Sequence, residues 1–149
     1  MSGASGVLVG EVNPDVVWQI LEGDPSAMLI DVRTRAEWGF VGVPDLVEVG
    51  QTTTFVEWAV FPDMSANPQF VAEVMEAIGD NIPSMLLFIC RSGVRSLRAA
   101  TAIADHFATV GVSAECLNVA EGFEGDLDPK GHRGGHNGWK ARGLAWRQS

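Results

Sequence analysis

Of the two cysteines in the chain, Cys90 has the neighbours of a nucleophile. It opens the run Cys90-Arg91-Ser92-Gly93-Val94-Arg95-Ser96, which links the apolar stretch Met85–Ile89 to a segment with helical periodicity. A helix start at this point offers unpaired backbone N–H groups and the positive end of the helix dipole, and both hold an anion. Gly93 lets the backbone curl so that successive N–H groups turn inward as a nest. Arg91 and Arg95 add positive charge within the same turn, and each of these effects favours a thiolate nucleophile. No histidine lies close in sequence to serve as a base, so activation rests on the field of the loop. Cys116, inside the apolar run 112–119, has the setting of a small buried hydrophobe, the other reading being a resolving thiol.

The cations point the same way. All ten lie in three short segments: Arg33 and Arg35; Arg91, Arg95 and Arg98; and Lys130, Arg133, Lys140, Arg142 and Arg147. The acidic residues are spread through most of the chain, and the net charge of −9 argues against nucleic acid as the main partner. Two readings stay open on charge alone, a local site for a small anion or chance plus a basic tail.

The elements that must position these groups follow from pattern. Asn13 and Pro14 read as the cap and first residue of a helix over Val16 to Leu21, and Gly23-Asp24-Pro25 ends it. Residues 27–32 form a short apolar strand, and 85–89 a continuous one of the kind buried on both faces of a parallel sheet. Residues 46–49 and 53–60 are β-favouring, with Gly50 between them. A helix opens at Asn67-Pro68 and closes at Gly79, another spans about 93–110, and residues 112–119 make a further strand. The segment 122–138 is Gly-, Asp- and His-rich loop, and 139–146 is a short amphipathic tail. Strands alternating with helices predict an α/β fold with a mainly parallel sheet, whose ligands bind beyond the carboxyl ends of the strands. Each cationic segment begins after a predicted strand, so one sheet edge can collect them.

The length of 149 residues suits one domain, and 46% hydrophobic residues suffice for a core without disulfides or a structural metal. No apolar run approaches the length of a membrane span. The first residues do not have the pattern of a signal peptide, and residues 1–10 are expected to be loose. Two cysteines make no disulfide framework, which favours a reducing cytoplasm.

At this level the chain resembles the rhodanese family. The likeness rests on the Cys90–Ser96 loop, on Asp31-Val32-Arg33 followed by Glu37-Trp38, and more loosely on Glu121-Gly122-Phe123 with Trp139 and Gly143-Leu144 downstream. It spans about Asn13 to Trp146. It implies a three-layer α/β fold and a sulfurtransferase without a cofactor. The Cys90 thiolate would attack the outer sulfur of thiosulfate or another sulfane donor and keep it as a persulfide. A thiol, cyanide or a protein cysteine would then take that sulfur. The loop amides from Arg91 through Ser92, Gly93, Val94 and Arg95 to Ser96 would cradle it, and Arg91 and Arg95 would bind the donor anion. Four residues separate Cys90 from Arg95, whereas cysteine-based phosphatases and related arsenate reductases place five there; the shorter loop favours a single sulfur atom over phosphate. The family's histidine-containing stretch is replaced here by Gly39-Phe40-Val41-Gly42-Val43-Pro44-Asp45-Leu46, and 124–138 reads as an inserted Gly/His-rich loop. Two other readings use the same residues: a persulfide carrier for one protein partner, and a non-catalytic binding or regulatory module.

Asp31 and Arg33 either act on substrate or, as the favoured reading, Asp31 or Glu37 pairs with an arginine and holds the Cys90 loop in shape. Lys130, His132, Arg133 and His136 form either a solvated loop or a lid over the anion site. Their spacing fits no common metal-ligand pattern.

Overall fold

The computed structural model of the protein describes residues 9–149. Most of the segment expected to be loose, residues 1–8, lies outside the described residues; Gly10 is already paired in a strand. In chain order the elements are β1 (Gly10–Val12), α1 (Pro14–Gly23), β2 (Met28–Asp31), α2 (Arg35–Phe40), β3 (Val43–Pro44), a 3-10 turn (Val47–Val49), β4 (Thr54–Phe55), β5 (Ala59–Val60), β6 (Ser65–Ala66), α3 (Phe70–Ile78), β7 (Met85–Ile89), α4 (Val94–Val110), β8 (Glu115–Val119) and β9 (Trp146–Arg147).

Five strands form one sheet in the order β1-β8-β7-β2-β4, and every pairing is parallel. The alternation of side chains along β7 and β8 divides the interior into two layers. Leu86 and Phe88 face α3 and α4, packing with Val74, Ile103 and Phe107. Leu87 and Ile89 face the other way, toward Val17 and Leu21 of α1 and toward Phe123 and Trp139 from the C-terminal region. Burying a side chain of this size contributes about 1.5–3 kcal/mol, which is why β7 must be apolar at every position. The α/β fold with a parallel sheet between helical layers is therefore as expected from sequence. No helix among the described residues is long and apolar enough to cross a membrane.

The α1 start is as read, with Asn13 Oδ1 accepting the Val16 N–H at 3.0 Å. Other boundaries need correction. Residues 46–49 are no strand: the Asp45 carboxylate takes the Val47 N–H, and the Leu46 carbonyl accepts from Val49 and Gln51, so the segment closes on itself. Residues 53–60 divide between β4, which joins the main sheet, and β5, which pairs only with β6. The helix after Asn67 begins two residues late, because Asn67 Oδ1 accepts the Gln69 N–H in a preceding turn. The tail 139–146 is a set of turns that delivers β9 to pair antiparallel with β3.

Candidate active site

Cys90 stands one residue beyond β7, at the carboxyl edge of the sheet, with α4 starting four residues on. Gly93 adopts a φ of 110°, in the left-handed region that disfavours any side chain. This curl turns the Gly93 N–H back to donate to Cys90 Sγ at 3.1 Å. Ser96 Oγ lies 3.1 Å from the same sulfur and donates to Asn118 Oδ1 at 2.6 Å. With the Ser96 proton engaged there, the thiol is the donor in the Cys90–Ser96 contact. Asn118 Nδ2 donates in turn to the Gly93 carbonyl at 3.1 Å and to Glu11 at 3.0 Å. One residue of β8 thus holds both the curl and the hydroxyl beside the sulfur. Cys90 is 1% exposed.

The turn after β8 grips the loop through backbone contacts. The Phe123 N–H donates to the Cys90 carbonyl at 2.8 Å, and the Glu124 and Gly125 N–H groups donate to the Arg91 carbonyl at 3.0 and 3.1 Å. Gly122 has a φ of 72°, and a Cβ there would fall 2.6 Å from the Cys90 carbonyl oxygen and the Arg91 carbonyl carbon. Only glycine lets the two backbones approach this closely, which gives Glu121-Gly122-Phe123 a physical role.

Two ion pairs frame the site. Glu37 accepts from Arg95 in a fork, with contacts of 2.7 and 2.9 Å. Its Oε1 also takes the N–H and hydroxyl of Thr34, whose own Oγ1 accepts the Glu37 N–H, completing a capping box that starts α2. Burial pushes the Glu37 carboxyl up, but the Arg95 hydrogen bonds, the Thr34 amide and the Arg95 charge outweigh it and hold it at about 2. Burial likewise lowers the Arg95 guanidinium, and the bonds and charge of Glu37 reverse that, for a net rise. Asp31 and Arg33 form the other pair, at 2.6 Å with both side chains fully buried. Arg33 also donates to the Gly42 carbonyl at 2.8 Å and stacks 4.3 Å from the centre of the Phe123 ring. This buried pair ties the end of β2 to the 42 and 123 turns. The pair that secures the Cys90 loop is Glu37 with Arg95, and Arg95 is therefore occupied rather than free.

A cavity of about 660 Å³ opens beside this loop. Arg91, Arg95 and Arg133 line it, with Thr34 and Glu37 from the α2 start and Glu124 from the turn. Its remaining wall is apolar, and Cys90 is not among the lining residues. The three cationic segments therefore do not collect whole. Arg35 pairs with Glu57, Arg142 with Asp15 and Glu121, and Arg147 with Asp45. Lys140 donates to the Val41 carbonyl and lies over the Trp146 ring.

Of the four residues considered for a lid, only Arg133 reaches the cavity, and it donates to the Gly125 carbonyl at 2.7 Å. Lys130, His132 and His136 are exposed. The segment is tied at its base, where Asn137 Oδ1 accepts the Asp126 N–H at 2.7 Å and the Glu124 carbonyl accepts from Gly134 at 2.8 Å. Cys116 pairs in register with Leu86, four residues before Cys90, so about 13 Å of strand separates the thiols and no disulfide can close. Burial, with the neighbouring Glu115 charge, pushes the Cys116 thiol up to about 12. It is a core residue. No group of three or more His, Cys, Asp or Glu among the described residues could hold a metal ion.

Sequence reasoning missed Thr34, Asn118 and the apolar wall. Thr34-x-x-Glu37 carried a visible signal, the capping box. Asn118, a polar residue ending an apolar strand, carried a weaker one, and the wall residues carried none.

No family model matches the chain. Among solved structures, the crystal structure of Rv0390 from M. tuberculosis is 44% identical, covering 96% of this chain and 100% of that one, with a TM-score of 0.81. The polysulfide-sulfur transferase homodimer of Wolinella succinogenes is 16% identical over 95% of this chain and 80% of its own, TM-score 0.56. A rhodanese-like domain protein from Staphylococcus aureus is 13% identical over 95% and 99%, TM-score 0.52. The last two likenesses are of fold.

Proposed function

We propose that this chain, whose fold is rhodanese-like, is a sulfurtransferase working through a Cys90 persulfide. One observation carries the reading: the Cys90 sulfur sits at the start of α4 and already receives the Gly93 N–H at 3.1 Å. A sulfur anion at that place meets a fixed donor and the positive end of a long helix. Four intervening residues leave room for one added sulfur rather than a tetrahedral oxyanion. The fold-neighbour named as a polysulfide-sulfur transferase is consistent with this chemistry.

In the first half-reaction the Cys90 thiolate attacks the outer sulfur of thiosulfate. The sulfur–sulfur bond of the donor breaks, sulfite leaves with the electron pair, and Cys90 keeps the sulfur as a persulfide. Arg91, exposed and in no ion pair among the described residues, attracts the donor anion, while Arg95 holds the loop through Glu37. In the second half a thiol, cyanide or a protein cysteine attacks the outer sulfur and releases the Cys90 thiolate. Both cysteines are free thiols, and a reaction that needs Cys90 reduced suits the cytoplasm.

Mass spectrometry of the intact protein before and after thiosulfate tests the reading. One sulfur atom gained, lost on adding cyanide and absent in Cys90→Ser, is the expected result. No gain with any sulfane donor would instead make the chain a binding or regulatory module.

A further inference from the structure

The cavity beside Cys90 is built for more than a small inorganic anion. Its volume of about 660 Å³ falls within the roughly 300–1,000 Å³ usual for organic ligands, whose sites are mostly apolar with a few polar groups fixing orientation. Phe40 and Val41 come to it from the end of α2, and Phe61, Pro62 and Met64 from the β5–β6 turn. Phe40 is 84% exposed, Phe61 60% and Met64 42%. Large apolar side chains left in water around a single hollow mark a place where an apolar body is received.

Other residues lining the same cavity are cationic. Arg91 and Arg133 line it, and neither is in an ion pair among the described residues; Arg133 donates to the Gly125 backbone carbonyl. Of the two carboxylates present, Glu37 is paired with Arg95 at 2.7 Å, and Glu124 is outnumbered by Arg91 and Arg133. Thiosulfate has no apolar atom to set against Phe40, Phe61 and Met64. A molecule with an apolar body and an anionic terminal sulfur satisfies both kinds of lining residue at once.

Resting on the persulfide reading of Cys90, we propose that the sulfur donor is an organic sulfane, a thiosulfonate or persulfide with an aromatic or branched alkyl body. The body packs on Phe40, Phe61 and Met64, and Arg91 and Arg133 draw the charged sulfur toward Cys90. With a thiosulfonate, the Cys90 thiolate attacks the terminal sulfur, the sulfur–sulfur bond breaks, and an organic sulfinate leaves with the electron pair. With a persulfide R–S–SH, the leaving group is the thiolate R–S⁻ and Cys90 ends as Cys90–S–SH. Neither route needs an oxidant or reductant.

The test compares benzenethiosulfonate, methanethiosulfonate and thiosulfate as donors to the full chain, with cyanide as acceptor and thiocyanate as the product measured. The two thiosulfonates release the same kind of leaving group, so their ratio of kcat/KM reports recognition of the body. The expected ratio is at least about tenfold in favour of the benzene compound, the scale on which an apolar pocket discriminates. In Phe40→Ser/Phe61→Ser that ratio should collapse toward one; both side chains are exposed, and an unchanged Tm confirms the fold. Equal use of the two thiosulfonates, or a preference that survives the double substitution, overturns the inference while leaving the persulfide chemistry standing. If intact-mass measurements find no sulfur on Cys90 with any of the three donors, the persulfide reading falls and this inference with it.

Discussion

Glu37→Gln removes one negative charge and keeps nearly the same shape, so it isolates what the pair with Arg95 contributes. The wild-type carboxyl is held at about 2 against an ordinary value of 4.5. That displacement corresponds to about 3 kcal/mol if taken whole, at about 1.36 kcal/mol per pH unit. The two side chains are 19% and 18% exposed, so water screens part of it. A contribution of about 1–2 kcal/mol is the expected remainder, between the values for exposed and fully buried pairs. The folded value lies below the unfolded one, so this stability is fully present above about pH 4.5 and fades as the pH falls toward 2. Urea unfolding of the wild type, Glu37→Gln, Arg95→Met and the double variant gives the coupling energy directly. The expected coupling is about 1–2 kcal/mol at neutral pH, shrinking toward zero in acid. A coupling below about 0.5 kcal/mol at neutral pH, or one that persists unchanged near pH 2, would refute the claim that this pair secures the loop.

Two further outcomes follow from the packing. Gly122→Ala should destabilise the protein by about 2–4 kcal/mol, combining left-handed strain with a clash against the Cys90–Arg91 backbone; chemical denaturation reads it, and a loss under about 1 kcal/mol would mean that the turn yields. Iodoacetamide should label Cys90 and spare Cys116 in the native protein: both are buried, but the Cys116 thiol is pushed up to about 12, while the Cys90 sulfur receives the Gly93 N–H at the start of α4. Peptide mapping checks this, and Cys116→Ala should leave the cyanide-dependent release of sulfur intact.

Much of the active-site loop was legible because its parts are contiguous. A cysteine at a strand end, a glycine able to curl and a helix start follow within seven residues, and backbone sterics and the helix dipole act over that range. The α1 cap was legible for the same reason: Asn13, Pro14 and Val16 are neighbours. The run 46–49 shows the limit of local reasoning, since β-branched residues predicted a strand where Asp45 and Leu46 close a turn.

What the sequence by itself determined was the alternation of strands and helices and the place of Cys90 between a strand end and a helix start. Only the tertiary structure decided which charges meet. The parallel order β8-β7-β2 brings Asn118 and the Gly122 turn to Cys90 from one side, and Glu37, which follows β2, to Arg95 from the other. The same arrangement buries Arg33 against Asp31 and leaves Arg91 and Arg133 lining the cavity. Apart from Asp31 and Arg33, these partners lie tens of residues apart, and their meeting depends on burying both faces of the sheet at once. No local pattern encodes that requirement, because the area a strand buries is set by the elements that cover it.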